Sequence, residues 1–168
     1  MTPFFTSLRA GLLLSFAGVH SVSAQDVPPQ FQPVFASYQA IANSQCTEMD
    51  GGEFDMYGGV LLVADFNADG ITDPIIDTHG MHCSTSATLF GGASGGWTYD
   101  VFISEGASYK QYSFLAESSM VISDATTPIL ILNQHGSNCG ITTGACYQAY
   151  FWAEDKFRSA SEIQHPVN

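Results

Sequence analysis

Between Asp65 and Asp77 the sequence reads DFNADGITDPIID, with four aspartates and Asn67 in one short stretch. Counted from Asp65, oxygen-bearing side chains stand at position 1 (Asp65), position 3 (Asn67), position 5 (Asp69) and position 9 (Asp73). Gly70 stands at position 6, and Ile71 at position 7 can offer its backbone carbonyl. Calcium takes about six to eight hard oxygen ligands in a forgiving geometry. Alternate residues of a tightly curled loop point inward, so the 1-3-5 spacing aims three side chains at one ion. A glycine at 6 permits the bend that brings 7 and 9 around. Without a cation, carboxylates this crowded repel one another. The competing reading is an Asp/Asn turn that holds no ion.

Other residues of chemical interest are fewer. His79-Gly80-Met81-His82-Cys83 puts two imidazoles and a thiol close together, a donor set suited to zinc or copper, with His135 as a distant further ligand. The plainer expectation is a polar turn whose Cys83 is held in a disulfide. Gly92-Ala93-Ser94-Gly95-Gly96 is a G-x-S-x-G string. A nucleophile elbow needs a strand before it and a helix after it, whereas a strand pattern follows at Trp97, so a Gly/Ser loop is expected. The same loop lacks the Lys of a phosphate loop. No spacing singles out an acid/base pair, so no catalytic residue is assigned. Trp97, Tyr99, Tyr147, Phe151 and Trp152 could stack on a sugar, but such residues are more often core.

The elements that must position the acidic loop are legible in the periodicity. Phe31, Val34, Phe35, Tyr38, Ile41 and Ala42 fall at offsets 0, 3, 4, 7, 10 and 11, one face of a helix, with Pro33 in its first turn. Glu48 to Gly59 reads as an acidic, Gly-rich loop. Short strands are expected at Val60–Ala64 and Pro74–Asp77, on either side of the acidic loop. Trp97–Ile103 alternates, with Trp97, Tyr99, Val101 and Ile103 on one face. Tyr109–Leu115, Met120–Ser123, Ile129–Asn133 and Tyr147–Trp152 follow as strands, and Phe157 opens a last one. Turn signals between them suit an antiparallel meander. The expected fold class is α+β: an N-terminal helix packed on an antiparallel β-meander and stapled by disulfides.

An EF-hand would carry a bidentate Glu at position 12, where this chain has Ile76, and helical flanks, where it has strand-like ones. The segment Val63-Ala64-Asp65-Phe66-Asn67-Ala68-Asp69-Gly70-Ile71-Thr72-Asp73-Pro74 instead resembles the strand–loop–strand calcium site of the FG-GAP (VCBS-type) repeat, whose consensus reads V-A-D-F-N-G-D-G-x-x-D-L. The resemblance implies side-chain ligation by Asp65, Asn67, Asp69 and Asp73 and carbonyl ligation by Ile71. It spans about two dozen residues. Ala68 replaces the usual Gly, a change suited to a backbone that is not left-handed there. FG-GAP units occur as repeated blades, and this chain carries one, so the metal loop is carried over and the propeller is not. The whole chain also resembles small exported bacterial proteins with one DFNxDG segment and a late HGS-x-C-G stretch, here His135 to Gly140.

Export is expected from the N-terminus. Met1–Arg9 is a short n-region and Gly11–Val19 an apolar h-region too short to span a bilayer. Val22-Ser23-Ala24 fits a signal-peptidase site. Residues 1–24 are thus the expected signal peptide and residues 25–168 a single globular domain with its calcium loop at 65–73. That domain has 168 − 24 = 144 residues, enough for a real core. Arg9 leaves with the signal, so Lys110, Lys156 and Arg158 face sixteen acids and the formal charge is 3 − 16 = −13. Such a chain repels nucleic acid and anionic lipid, and no later segment reaches membrane-spanning length. Cys46, Cys83, Cys139 and Cys146 allow three pairings. The expected one joins Cys139 to Cys146 and Cys46 to Cys83, contributing roughly 2–3 and 4 kcal/mol in the chain-entropy model.

These features point to a secreted or periplasmic calcium-binding interaction module with a protein or polysaccharide partner. The alternatives are a small secreted hydrolase acting on cell-wall or extracellular polymer, or an inhibitor of a secreted enzyme, for which acidity would favour a basic target.

Overall fold

The computed structural model describes residues 27–49, 51–57, 61–93, 95–122, 127–142 and 144–160, with the backbone alone described at 61–63 and 93. The expected signal peptide, residues 1–24, and Ser94 lie outside the described residues. Helix α1 (Gln32–Ser44) follows a 3₁₀ turn at Pro29–Phe31 and runs into a π turn at Gln45–Met49. Strands follow in chain order: β1 (Phe54–Met56), β2 (Leu61–Ala64), β3 (Asp73–Asp77), β4 (Met81–Cys83), β5 (Gly91–Ala93), β6 (Gly96–Glu105), β7 (Ser108–Ala116), β8 (Ser118–Ile122), β9 (Ile129–His135), β10 (Ala145–Ala153) and β11 (Lys156–Ser159). All the pairings are antiparallel. The fold is therefore α+β with an N-terminal helix and largely meander connections.

The chain builds three layers around β6. β7 pairs with β6 over its whole length, so β3 and β5 share the opposite edge, and β2 extends the sheet beyond β3. Side chains alternate across a strand, and both faces of β6 are covered. Tyr99, Val101 and Ile103 pack with Ile75, Phe66, Leu130 and Leu132, joining this sheet to the meander β8–β9–β10–β11. Phe102 packs with Ile76, Phe31 and Phe35 beneath the helix. Burying a side chain the size of Phe31 contributes roughly 1.5–3 kcal/mol. Of the aromatics expected as core, Tyr99 is buried and Trp97 and Trp152 pack against the inter-sheet core, whereas Phe151 lies on the other face of its sheet and Tyr147 is 75% exposed.

The helix face departs from expectation at one residue. Phe31, Phe35 and Ala42 are buried and Val34 and Tyr38 partly buried, but Ile41 is 58% exposed. At about 100° per residue, Ile41 lies roughly 90° from the line through Phe31, Phe35, Tyr38 and Ala42. It overhangs a cleft beside the helix rather than the core.

Three strands escaped the sequence, one of them β5 at the start of the expected Gly/Ser loop. β1 falls within the stretch expected to be an acidic loop, and β4 within the expected HGMHC turn; they pair with Phe54 opposite Cys83. Three residues are too few to show a period. The Cys46–Cys83 disulfide ties the π turn that precedes β1 to the end of β4, with Cα atoms 5.6 Å apart. Gly52 passes so close to this bridge that a Cβ would lie 2.7 Å from Cys83 Sγ and 2.4 Å from Thr85 Oγ1. The second bridge, Cys139–Cys146, clips the turn after β9 to the start of β10. Both pairings are the expected ones, and two disulfides fit an oxidising compartment. No helix among the described residues is long and apolar enough to cross a membrane.

Candidate metal centre

The acidic loop is the connection of the β2–β3 hairpin. Ala64 pairs with Asp73, so Asp65 and Asp73 meet at the mouth of the loop. Phe66 anchors it: its ring is buried between the sheets, 5.2 Å from the ring of Phe157. A buried aromatic at position 2 leaves the neighbouring polar side chains to project from the other side of the curled backbone.

The oxygens of those side chains organise the loop. Asp65 Oδ1 and Oδ2 accept from the N–H groups of Asp69 (3.2 Å) and Gly70 (3.0 Å). Asn67 Oδ1 also accepts from Asp69 N–H at 3.2 Å, and Asp69 Oδ1 accepts from Ile71 N–H at 2.7 Å. Asp73 is fully buried, and its two oxygens accept from Phe66 N–H (2.7 Å) and Ser104 N–H (2.8 Å).

Ser104, at the end of β6, is the residue that sequence reasoning missed. Its Oγ–H donates to Asp69 Oδ2 at 2.8 Å, its carbonyl accepts from Asn67 Nδ2 at 2.9 Å, and its N–H serves Asp73. One buried serine thus holds three of the four oxygen-bearing side chains of the motif. The only signal in the sequence is a small polar residue directly after the alternating run ending at Ile103, and nothing local connects it to a loop more than thirty positions away.

Electrostatics differ along the loop. Desolvation would raise the Asp69 carboxyl, but hydrogen bonds from Ile71 N–H, Ser104 Oγ–H and the Asn67 amide outweigh it and hold its pKa below the ordinary value. At Asp73 the balance reverses: burial pushes the pKa up despite the N–H donors of Ser104 and Phe66. Asp77, outside the nine-residue loop, caps the next turn by accepting from His79 N–H, and burial raises its pKa too.

The backbone corrects one expectation. Ala68 is left-handed, with φ 58°, in the position where the FG-GAP consensus has Gly. Gly70, at φ 83°, adopts the same region without a Cβ. An L-residue in this region costs roughly 1–2 kcal/mol. The Asx turn of Asn67 and the longer-range bond to Asp65 Oδ1, which both hold Asp69 N–H, offset that strain.

The donor chemistry fits calcium. Asp65, Asn67, Asp69, Asp73 and the Ile71 carbonyl supply hard oxygens from a single hairpin loop; the Asp65 and Asp73 oxygens each accept one N–H, whereas Asp69 Oδ2 already accepts from both Ser104 Oγ–H and the Asn67 amide. The Asn67 amide is oriented for such a role, since Nδ2 is engaged by Ser104 and Oδ1 stays on the loop side. As folded here, the carboxylates rest on backbone N–H donors, and among the described residues no three His, Cys, Asp or Glu side chains converge on one point. Ligation would require Asp65 and Asp69 to swing inward from these bonds.

The histidines are not gathered. His79 stacks on Trp97 with ring centroids 4.6 Å apart, His82 is exposed beside Tyr57, and Cys83 is bridged to Cys46. His135 caps the turn after β9, its Nδ1 meeting Ser137 N–H at 3.3 Å and lying 2.8 Å from Ser137 Oγ. No family model matches the chain, and neither a curated protein nor a solved structure matches it.

Proposed function

We propose that this chain is an exported calcium-binding interaction module in which the ion acts as a structural staple of the 65–73 loop. The observation that carries the reading is the hairpin itself: Ala64 pairs with Asp73, so positions 1 and 9 of the ligand series meet while positions 3 and 5 curl between them. The likeness to the FG-GAP strand–loop–strand site supports the same assignment. Bound calcium would supply positive charge to a crowded acidic loop. Asp65, Asn67, Asp69, Asp73 and the Ile71 carbonyl hold it, Ser104 orients three of them, and Phe66 fixes the loop to the core. Lacking a bidentate Glu, the site suits the weak affinity of extracellular modules, about 10⁻⁴–10⁻³ M. At millimolar calcium that adds ~1 kcal/mol.

The interaction reading is supported by the outer face of the β8–β11 sheet. Leu130, Leu132, Tyr150 and Trp152 point into the core, which leaves Met120, Ile131, Phe151 and Tyr147 on the opposite face. Met120 is 54% exposed there. A protein or polysaccharide partner is the proposed occupant of the module. Calcium titration followed by thermal melting tests the staple: melting temperature rises with calcium in the wild type and stays flat in Asp69→Ala. A flat wild-type response up to several millimolar calcium removes the proposal. Turnover of a cell-wall polymer by the purified protein would favour the hydrolase alternative instead.

A further inference from the structure

A second site lies on the other side of the central sheet, in the cleft between α1 and β6–β7. Asp100 is only 4% exposed, in an apolar layer made by Phe31, Phe35, Ile76 and Phe102. Its Oδ2 accepts from Tyr38 Oη–H and its Oδ1 from Ser113 Oγ–H, both at 2.5 Å. Both partners are neutral hydroxyls. The only ion pair among the described residues joins Arg158 to Glu154. Lys110 is one residue from Gln111 but pairs with Ile103, on the opposite face of the sheet, and its Nζ lies over the Tyr112 ring. A buried carboxylate ordinarily has a cation to offset its lost hydration, and here the chain supplies none to Asp100 among those residues.

The space for one exists. A hollow of about 270 Å³ is lined by Tyr38, Ile41, Gln45, Phe90, Asp100 and Gln111. It shares Tyr38, Ile41 and Gln111 with a neighbouring hollow of about 370 Å³ that also reaches Phe102. Three aromatic side chains, two carboxamides and one buried carboxylate therefore line a single cleft, the mixture of apolar wall and few polar anchors that marks ligand sites. A divalent metal is poorly served, because one carboxylate and amides fall short of six oxygens. An anion would face Asp100 directly. An organic ammonium ion matches the lining: it neutralises the carboxylate and interacts favourably with aromatic faces.

We propose that the α1/β6–β7 cleft binds a small organic ammonium compound, with Asp100 as its counter-ion and Tyr38, Phe90 and Phe102 as its aromatic wall. Exposed Ile41 stands at its mouth. This site is independent of the calcium loop, so the two stand or fall separately.

The experiment titrates the mature protein, in saturating calcium, with choline and in parallel with its neutral carbon isostere 3,3-dimethyl-1-butanol, read by calorimetry and by side-chain amide NMR shifts. The expected result is saturable choline binding at least about tenfold tighter than the isostere. Asp100→Asn removes that preference. Should Asp100→Asn fail to fold, Ile41→Trp fills the mouth from an exposed position without touching the carboxylate, and abolishes binding in a protein with wild-type circular dichroism. Equal affinity for the charged and neutral compounds, absence of saturable binding by either, or undiminished choline binding in Ile41→Trp overturns the proposal.

Discussion

Ser104 Oγ donates a 2.8 Å hydrogen bond to Asp69 Oδ2, joining residues 35 positions apart. The bond ties the end of β6 to the tip of the acidic loop and makes the strand a scaffold for the loop's oxygens. Ser104→Ala removes this bond and the longer 3.4 Å contact from Asn67 Nδ2 to Ser104 Oγ, while the backbone groups that serve Asp73 and Asn67 remain. A net loss of about 0.5–1.5 kcal/mol is expected in calcium-free denaturant melts. The calcium-dependent rise in melting temperature should also shrink, because Asp69 is no longer oriented; an unchanged rise would place Ser104 outside the site.

Ala68 is the strained position of the loop. Ala68→Gly relieves the left-handed penalty, partly offset by the greater backbone freedom of Gly in the unfolded chain. A gain of up to about 1 kcal/mol is expected, together with tighter calcium binding. Gly70→Ala is its mirror experiment. Gly70 has open space around its missing Cβ, so the cost there is backbone strain without a clash. The pair of variants, melted side by side, should move in opposite directions.

Burial raises the Asp77 pKa, which sets the sign of an acid effect. The folded protein takes up a proton at Asp77 more readily than the unfolded chain. The associated stability is fully present below the unfolded value of about 4 and is lost as pH rises through the raised folded value. Asp73 acts in the same direction in calcium-free protein, and Asp69, with its lowered pKa, acts oppositely: its contribution is present above the unfolded value and is lost as pH falls through the folded one. Asp77→Asn keeps an acceptor for His79 N–H while removing the titration. Calcium-free melts of this variant across mildly acidic pH should show a shallower decline with rising pH than the wild type.

The Cys46–Cys83 bridge and Gly52 form one packed unit. Cys46→Ser with Cys83→Ser should cost about 4 kcal/mol by the chain-entropy model. Gly52→Ala keeps the bridge but drives a methyl into Cys83 Sγ and Thr85 Oγ1. A loss of about 1–3 kcal/mol is expected from that overpacking. In reduced protein the same substitution should cost less, since the sulfurs can then move apart.

What the sequence determined by itself is what neighbouring residues along the chain determine. Helix α1 follows from the period of Phe31, Phe35, Tyr38 and Ala42, β6 from the alternation of Tyr99, Val101 and Ile103, and the ligand series from the spacing of Asp65, Asn67, Asp69 and Asp73. The clip Cys139–Cys146 follows from a short loop. Tertiary structure alone decided the relationships between distant positions: Ser104 with the acidic loop, Tyr38 with Asp100 across 62 positions, and the pairing of β1 with β4. It also made Ala68 left-handed and turned Ile41 out of the core. A periodic pattern says which face of an element is apolar. It carries no information about which buried polar atom another element will bring within 3 Å, because that depends on how the layers stack to exclude water from both faces of β6.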